Sequence, residues 1–233
     1  MLILADARFP EGVKKGLRRY GEVVPFASTG IVYEAISGHP DIFFCKTPAG
    51  LVAAPNTPPG ILKKIHDAGV KMVVGDLPVG ATYPESARYN AFAGSSCFVH
   101  RQGLTDRRIM ENTKGLTTIF VEQGYTCCNL TEAGGLFITS DRSIENALRM
   151  AGKEILYIDP TVVKLPGQKH GFFGGCTGFH KDILFVVGSA RHFPDGTTLL
   201  EKLMGRGIEV CELYDGPLWD GGSILFLEAF ENS

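Results

Sequence analysis

YTCCNLTEAGGLFITSDRSIENALRMAGKEILYI, residues Tyr125–Ile158, is the stretch whose pattern decides the fold. Tyr125–Thr131 reads as a strand, Gly134–Gly135 as a turn and Leu136–Thr139 as a second strand. Ser140 or Asp141 can cap the helix that follows, because a side-chain oxygen accepts from the unpaired N–H groups of a first turn. Ile144, Ala147, Leu148 and Ala151 then recur at the spacing of one buried helical face. Gly152 ends the helix in the left-handed conformation that glycine adopts at little cost. Lys153–Ile158 makes a third strand, and the unit is strand–strand–helix–strand.

The same order repeats outward in both directions. One unit has strands Asp41–Cys45 and Leu51–Ala54, a helix Pro58–Ala68 with proline in its first turn, and Lys71–Val74. The next has Tyr89–Ala93, Ser96–His100, the helix Thr105–Lys114 and Thr117–Val121. After the opening stretch come Gly175–Phe179, Ile183–Val187, the helix Thr197–Met204 and Ile208–Leu213. Gly21, Gly69, Gly115, Gly152 and Gly207 close the five helices at intervals of 37 to 55 residues. The 26 residues after Gly207 and the 21 up to Gly21 together supply one more interval. A fifth unit is therefore split between the ends: Ser223–Phe230, then Leu2–Ala5, the helix Glu11–Tyr20 and Val23–Phe26. A repeat unit cannot bury its own apolar face, so this period predicts a closed five-fold α/β ring. Pairing the last strand with the first would remove both sheet edges. An eight-stranded β/α barrel fits less well, since the helices number five and paired short strands precede each. A dinucleotide fold lacks its Gly-x-Gly-x-x-Gly opening.

Length and composition agree with one domain spanning 1–233. Hydrophobic residues make up 44% and charged residues 21%, enough to bury a sizeable core, and no Ser/Pro-rich linker divides the chain. The net charge is −2 and the basic pairs Lys14–Lys15, Arg18–Arg19 and Arg107–Arg108 are scattered, which argues against nucleic acid as a partner. No apolar run approaches the roughly 20 residues of a membrane span, and the first residues lack a signal-peptide core. Cys45, Cys97, Cys127, Cys128, Cys176 and Cys211 are too sparse for a disulfide scaffold, and Cys97, Cys127 and Cys211 fall in predicted strands. A reducing cytoplasm is expected. No Cys-x-x-Cys or close Cys/His set predicts a metal, and no motif predicts a cofactor.

Five such units in about 230 residues, closed by their own termini, resemble the pentein fold, a pseudosymmetric α/β propeller. That fold is shared by arginine deiminases, dimethylarginine hydrolases, amidinotransferases and agmatine deiminases, and by a ribosome anti-association factor that binds without chemistry. Val121-Glu-Gln-Gly-Tyr-Thr-Cys-Cys, Ile138-Thr-Ser-Asp141 and Leu165-Pro-Gly with Gly171-Phe-Phe-Gly-Gly further resemble a bacterial family of this fold with no assigned activity. In the enzymes, the resemblance implies, a cysteine of the last unit attacks the guanidinium carbon, a histidine of the fourth shuttles protons and carboxylates grip the nitrogens. A thiolate is a nucleophile with a tunable pKa, and histidine changes charge in the working range.

Against that template His170, just before Gly171-Phe-Phe-Gly-Gly, is the fourth-unit histidine, or else a loop residue in a glycine-rich turn. The last unit has no cysteine: none follows Cys211, and Ser223 in Asp220-Gly-Gly-Ser takes the place. Cys128, beside Cys127 in a first strand, is the relocated nucleophile if there is one; the other reading is small apolar filler near the centre. Asp76, Glu122 and Asp159 follow equivalent strands and Asp6 follows the N-terminal one, so they either ring one channel opening or sit on solvated strand ends. Asn90 and Tyr125 are neutral hydrogen-bonding partners, Arg8 can hold a carboxylate, and Asp141 is read as a helix cap.

Three functions follow. The first is a ring without the usual C-terminal catalytic cysteine that binds a small polar, guanidino- or amino-acid-like ligand in its central channel. The second is an amidinohydrolase or deiminase using Cys128. The third is a protein-binding ring like the ribosome factor. The oligomeric state is left open.

Overall fold

The computed structural model describes residues 1–230. From the N-terminus the elements are β1 (Leu2–Asp6), α1 (Glu11–Leu17), β2 (Glu22–Phe26), β3 (Phe44–Thr47), β4 (Gly50–Ala53), α2 (Pro59–Asp67) and β5 (Met72–Val74). They continue as β6 (Phe92–Ala93), β7 (Cys97–His100), α3 (Arg107–Asn112), β8 (Thr117–Phe120), α4 (Thr126–Asn129), β9 (Leu130–Ala133) and β10 (Leu136–Thr139). The remainder is α5 (Arg142–Met150), β11 (Ile155–Tyr157), β12 (Val163–Lys164), β13 (Thr177–His180), β14 (Ile183–Val186), α6 (Gly196–Met204), β15 (Glu209–Glu212), β16 (Leu218–Trp219) and β17 (Leu225–Leu227).

These make five separate three-stranded sheets and one two-stranded ribbon, β12–β16. In each three-stranded sheet the middle strand pairs antiparallel with the first strand of its unit and parallel with the strand after the helix. The split unit obeys the same rule: β1 pairs antiparallel with β17, Ile3 opposite Phe226, and parallel with β2. The sheets are small and hydrogen bonding does not run from one three-stranded sheet into the next. The units meet through side-chain packing instead, with β3 beside β6 and β13 beside both β9 and β17.

Alternation along the middle strands explains how that packing is shared. Successive strand side chains point to opposite faces, so a middle strand can serve two cores. Leu2 and Leu4 of β1 enter one apolar cluster, Ile3 and Ala5 another. Leu136 and Ile138 of β10 pack with Leu184 and Val186 of β14, whereas Phe137 packs with Cys97 and Val99 of β7. Phe185 and Val187 face Ile3 and α1. Each fully buried Leu, Ile or Phe contributes roughly 1.5–3 kcal/mol.

The helices follow the apolar periodicity closely. Asp141 caps α5, its Oδ1 accepting from Ser143 N and Ile144 N at 2.8 and 3.0 Å. Ile144 and Leu148 are buried in one cluster and Ala147 packs against it, while Ala151 lies exposed beyond the helix. Gly69, Gly115, Gly152 and Gly207 all have positive φ; Gly21 is different, because a Cβ there would meet the Met1 carbonyl at 2.7 Å.

The first strands depart from the sequence reading in one consistent way. Every one starts later than its residues suggest, after a tight turn or helical segment. Tyr125–Thr131 is not a strand throughout: Thr126–Asn129 forms α4, so Cys127 is helical. The reason is long-range. Asn90 O accepts from Thr126 N and Cys127 N at 2.9 and 3.0 Å, and Asn90 Oδ1 accepts from Cys128 N at 3.0 Å. Three N–H groups that a helical turn leaves open are thus satisfied from another unit. Pro40–Ile42 and Gly174–Cys176 are likewise single 3-10 turns ahead of β3 and β13. Among the described residues no helix is long and apolar enough to cross a membrane.

Candidate functional site

The five segments ahead of β3, β6, β9, β13 and β17 converge and are tied together by main-chain contacts. Asp41 N donates to Gly222 O at 3.1 Å, and Gly221 N and Ser223 N both donate to Gly175 O. Glycine is required where the backbones meet: a Cβ on Gly175 would lie 1.9 Å from Asp220 Oδ1, and one on Gly222 2.1 Å from His39 Cβ.

Into this collar project His39, Asp41, Asn90, Cys128, Asp220 and Ser223, all buried. Asp41 Oδ2 accepts from Cys128 Sγ at 3.0 Å and from Ser223 Oγ at 2.9 Å. Asn90 Nδ2 donates to Cys128 Sγ at 3.2 Å and to Asp41 O at 3.0 Å. Asp220 accepts from Phe172 N and Gly222 N, and its Oδ1 lies 3.8 Å from His39 Nδ1. Asp41 Oδ1 and both ring nitrogens of His39 have no hydrogen-bond partner. Unpaired buried polar groups are rare in folded proteins, and each calls for an explanation. Ser223 adds a further mark of a functional position, φ of +64° on a non-glycine residue.

Burial dominates the electrostatics. It pushes Asp41 up to about 6 against the hydrogen bonds from Cys128 and Ser223, which pull it down. Burial, then the Asp41 charge, pushes Asp220 up to about 8. Burial, with the Arg8 charge nearby, drives His39 down to about 3, so its imidazole is neutral at pH 7. The Cys128 thiol is raised well above its usual range by burial and by Asp41. Near pH 7 the centre therefore holds a thiol, a neutral imidazole, a protonated Asp220 and an Asp41 that ionises only above about 6. A cation brought among them would reverse the bias, favouring carboxylate and thiolate alike.

A cavity of about 430 Å³ adjoins the collar. The first strands of all five units line it, through Phe44 and Lys46, Phe92, Thr131 and Glu132, Phe179, and Leu225. Cys127, Gly174 and Ser223 line it where those strands begin. Adjacent Cys127 and Cys128 thus divide: Cys127 borders the cavity, and Cys128 is buried against Asp41.

Of the residues singled out in the sequence, Cys128, Asn90 and Ser223 are brought together here. Asp6 is buried close by, and Arg8 grips both its oxygens, Nε at 3.0 Å from Oδ1 and Nη2 at 2.6 Å from Oδ2, while also donating to Glu34 O and Ala35 O. Tyr125 Oη shares hydrogen bonds with Ser86 Oγ and Tyr33 Oη. His170 does not join the cluster through its ring: Nδ1 contacts Gly171 O and the imidazole packs edge-on against Phe172. Asp76 is held by Arg107 and Arg108, Asp159 caps the turn at Pro160–Val162, and Glu122 is exposed on a surface pocket that Arg101 also lines. His39, Asp41 and Asp220 were not singled out. One signal was available: each lies, like Asn90 and Cys128, in the few residues ahead of a unit's first strand. His39, Asp41 and Cys128 also offer donor atoms within 4.8 Å of one another, a metal-ligand grouping that no local spacing announces.

Comparison with solved structures gives the fold a name. SxtG, an amidinotransferase of the saxitoxin pathway from Microseira wollei, is 11% identical with a TM-score of 0.56, covering 100% of this chain and 94% of its own. A cysteine-to-serine variant of DDAH from Pseudomonas aeruginosa, complexed with citrulline, is 10% identical with a TM-score of 0.52 over 91% of each chain. Agmatine deiminase from C. jejuni is 9% identical with a TM-score of 0.52, covering 99% of this chain and 93% of its own. These likenesses give the chain the pentein fold and no more, because fold does not carry function. No curated protein sequence matches it significantly. A family model matches residues 4–225, and the chain belongs to that family, the family of unknown function DUF6873.

Proposed function

We propose that the chain is a single five-bladed propeller that binds a small guanidino-bearing, amino-acid-like compound through its central channel, the cationic head group held by Asp41 and Asp220. The propeller reading is supported by the apolar clusters, which link the split unit to the fourth, the fourth to the third and the third to the second, while one further cluster joins the second and the first to the split unit again. The observation that carries the ligand is Asp41, a fully buried carboxylate with Oδ1 unpaired and neither Lys nor Arg beside it. A buried charge without a partner is strongly unfavourable, and a planar cation is its best match. Lys46 on the cavity wall supplies the opposite charge for a ligand carboxylate. The amidinotransferase and agmatine deiminase of the same fold support the guanidino class.

Calorimetry with arginine, agmatine and a guanidine-free analogue tests this. A guanidino compound at 100 times its Kd should add about 2.7 kcal/mol to stability, and Asp41→Asn should abolish the gain. Equal binding by Asp41→Asn, or no binding of any guanidino compound by the unmodified chain, overturns the proposal.

A second reading, thiol chemistry on the bound guanidinium, is favoured by the 3.0 Å contact between Cys128 Sγ and Asp41 Oδ2. In it Asp41 takes the thiol proton as the cation arrives, Sγ bonds to the guanidinium carbon, one C–N bond breaks as that nitrogen leaves with the proton returned by Asp41, and water then cleaves the C–S bond, giving the ureido product and the free thiol. Cys128→Ala should then stop turnover of an arginine-like substrate while leaving ligand affinity largely intact. Turnover that survives this substitution removes the thiol from the chemistry.

A further inference from the structure

The same centre holds a donor set that suits a second kind of occupant. We infer that His39, Asp41 and Cys128 form a site for a divalent transition metal of the zinc class, three protein ligands with one position left open. The inference stands on the donor set and does not rest on the guanidino reading.

The three donors come from two units, with Asp41 and Cys128 87 positions apart, yet all lie within 4.8 Å of one another and are buried. An imidazole, a carboxylate and a thiol together suit zinc or cobalt; magnesium and calcium prefer all-oxygen shells. Metal–ligand bonds of about 2.0–2.3 Å ask the donors to close by roughly an ångström.

The independent observation is the set of unpartnered atoms. Asp41 Oδ1 and both His39 ring nitrogens are buried and hydrogen-bonded to nothing, and they belong to two of the three ligands. A metal would satisfy Asp41 and one imidazole nitrogen at once. The surrounding shell is also present. Asn90 Nδ2 donates to Cys128 Sγ at 3.2 Å, Ser223 Oγ donates to Asp41 Oδ2, and Asp220 Oδ1 lies 3.8 Å from His39 Nδ1, in reach to orient the ring. Metal sites depend on such partners to fix their ligands. On binding, a metal–sulfur bond replaces the S–H bond and the thiol proton leaves to solvent. Metal and guanidinium both need Asp41, so each excludes the other.

The test is cobalt titration of the full chain, stripped with chelator and kept reduced with a phosphine, with no guanidino compound added. One Co2+ per chain should bind with a near-ultraviolet thiolate-to-cobalt band and visible bands of a low-coordinate ion, and one equivalent of Zn2+ should bleach both. The near-isosteric Cys128→Ser should remove the thiolate band, and Cys127→Ser should keep it. Asp220→Asn should weaken zinc about 10-fold or more as an orienting partner, and His39→Ala by more than that. The proposal is overturned if the unmodified chain gives no thiolate band. It is equally overturned if that band survives Cys128→Ser, or if zinc affinity is unchanged in His39→Ala. Circular dichroism matching the unmodified chain qualifies each variant as folded. Because guanidino binding is measured separately on metal-free protein, failure of either occupant leaves the other standing.

Discussion

Two regions of this molecule carry aspartates at recurring points of the repeat, and the same side chain behaves oppositely in each. At the rim, Asp76 follows a third strand, half in solvent, with Arg107 and Arg108 against it. Their hydrogen bonds hold its carboxyl below the usual range. At the centre, Asp41 and Asp220 precede first strands, are fully buried, and burial lifts both. Water and arginine make the rim acids ordinary surface groups. The central acids are shut off from solvent and no arginine hydrogen-bonds to them, so what they lack becomes informative.

The contrast is broken most severely by adding one methyl group. Gly222→Ala places Cβ against His39 at a φ of +70°, whereas Gly152→Ala at the same φ has open space around it. Overpacking costs about 1–3 kcal/mol and the left-handed conformation about 1–2. Chemical denaturation should therefore show a loss of about 2–5 kcal/mol for Gly222→Ala and about 1–2 for Gly152→Ala. Equal losses would mean that the centre is no tighter than the rim.

The pH dependence of stability sharpens the comparison. A carboxyl whose folded pKa is raised keeps its proton in the folded state after the unfolded state has lost it. Its contribution therefore falls as pH rises from the unfolded value towards the folded one. For Asp220 that window runs from about 4 to about 8. His39, depressed to about 3, acts with the opposite slope but only below its ordinary value of 6.5, where the unfolded imidazole gains a proton. Between pH 6.5 and 8 the Asp220 effect stands nearly alone, since Asp41 has titrated by then. At about 1.4 kcal/mol per pH unit per proton, the chain should lose about 1–2 kcal/mol across that interval, and Asp220→Asn should flatten the curve. A flat curve for the unmodified chain would place Asp220 in contact with water.

The smallest effect is expected at the rim. Asp76→Asn should leave guanidino affinity and the thermal midpoint unchanged within error, because exposed ion pairs are screened and contribute little. A lost affinity there would move the binding centre from the first-strand starts to the third-strand ends.

How much of this was legible depends on which residues are asked. Helix α5 is legible almost residue by residue, since Asp141, the Ile144–Leu148 stripe and Gly152 act through contacts a few positions apart. The pairing of β1 with β17 was legible too, because a unit missing its first strand at one end had it at the other. Cys128, Asn90 and Ser223, singled out by residue type, do converge at the centre. His39, Asp41 and Asp220 were missed because the acids were sought after the third strands, where strand-end logic puts them. The extension of the first strands to Tyr125 and Tyr89 failed for a related reason: Asn90 caps Thr126–Asn129 from another unit, and no local propensity encodes that.

The amino-acid order alone determined the repeat, its strand–strand–helix–strand grammar and the place of the helix in each unit, because periodicity, capping and glycine conformation are interactions between near neighbours. Only the tertiary structure decided which side chains share the centre and what state they are in. Asp41 and Cys128, 87 residues apart, touch there. Exclusion of water from that contact, a property of the assembled fold, raises the pKa of an ordinary carboxyl and an ordinary thiol together.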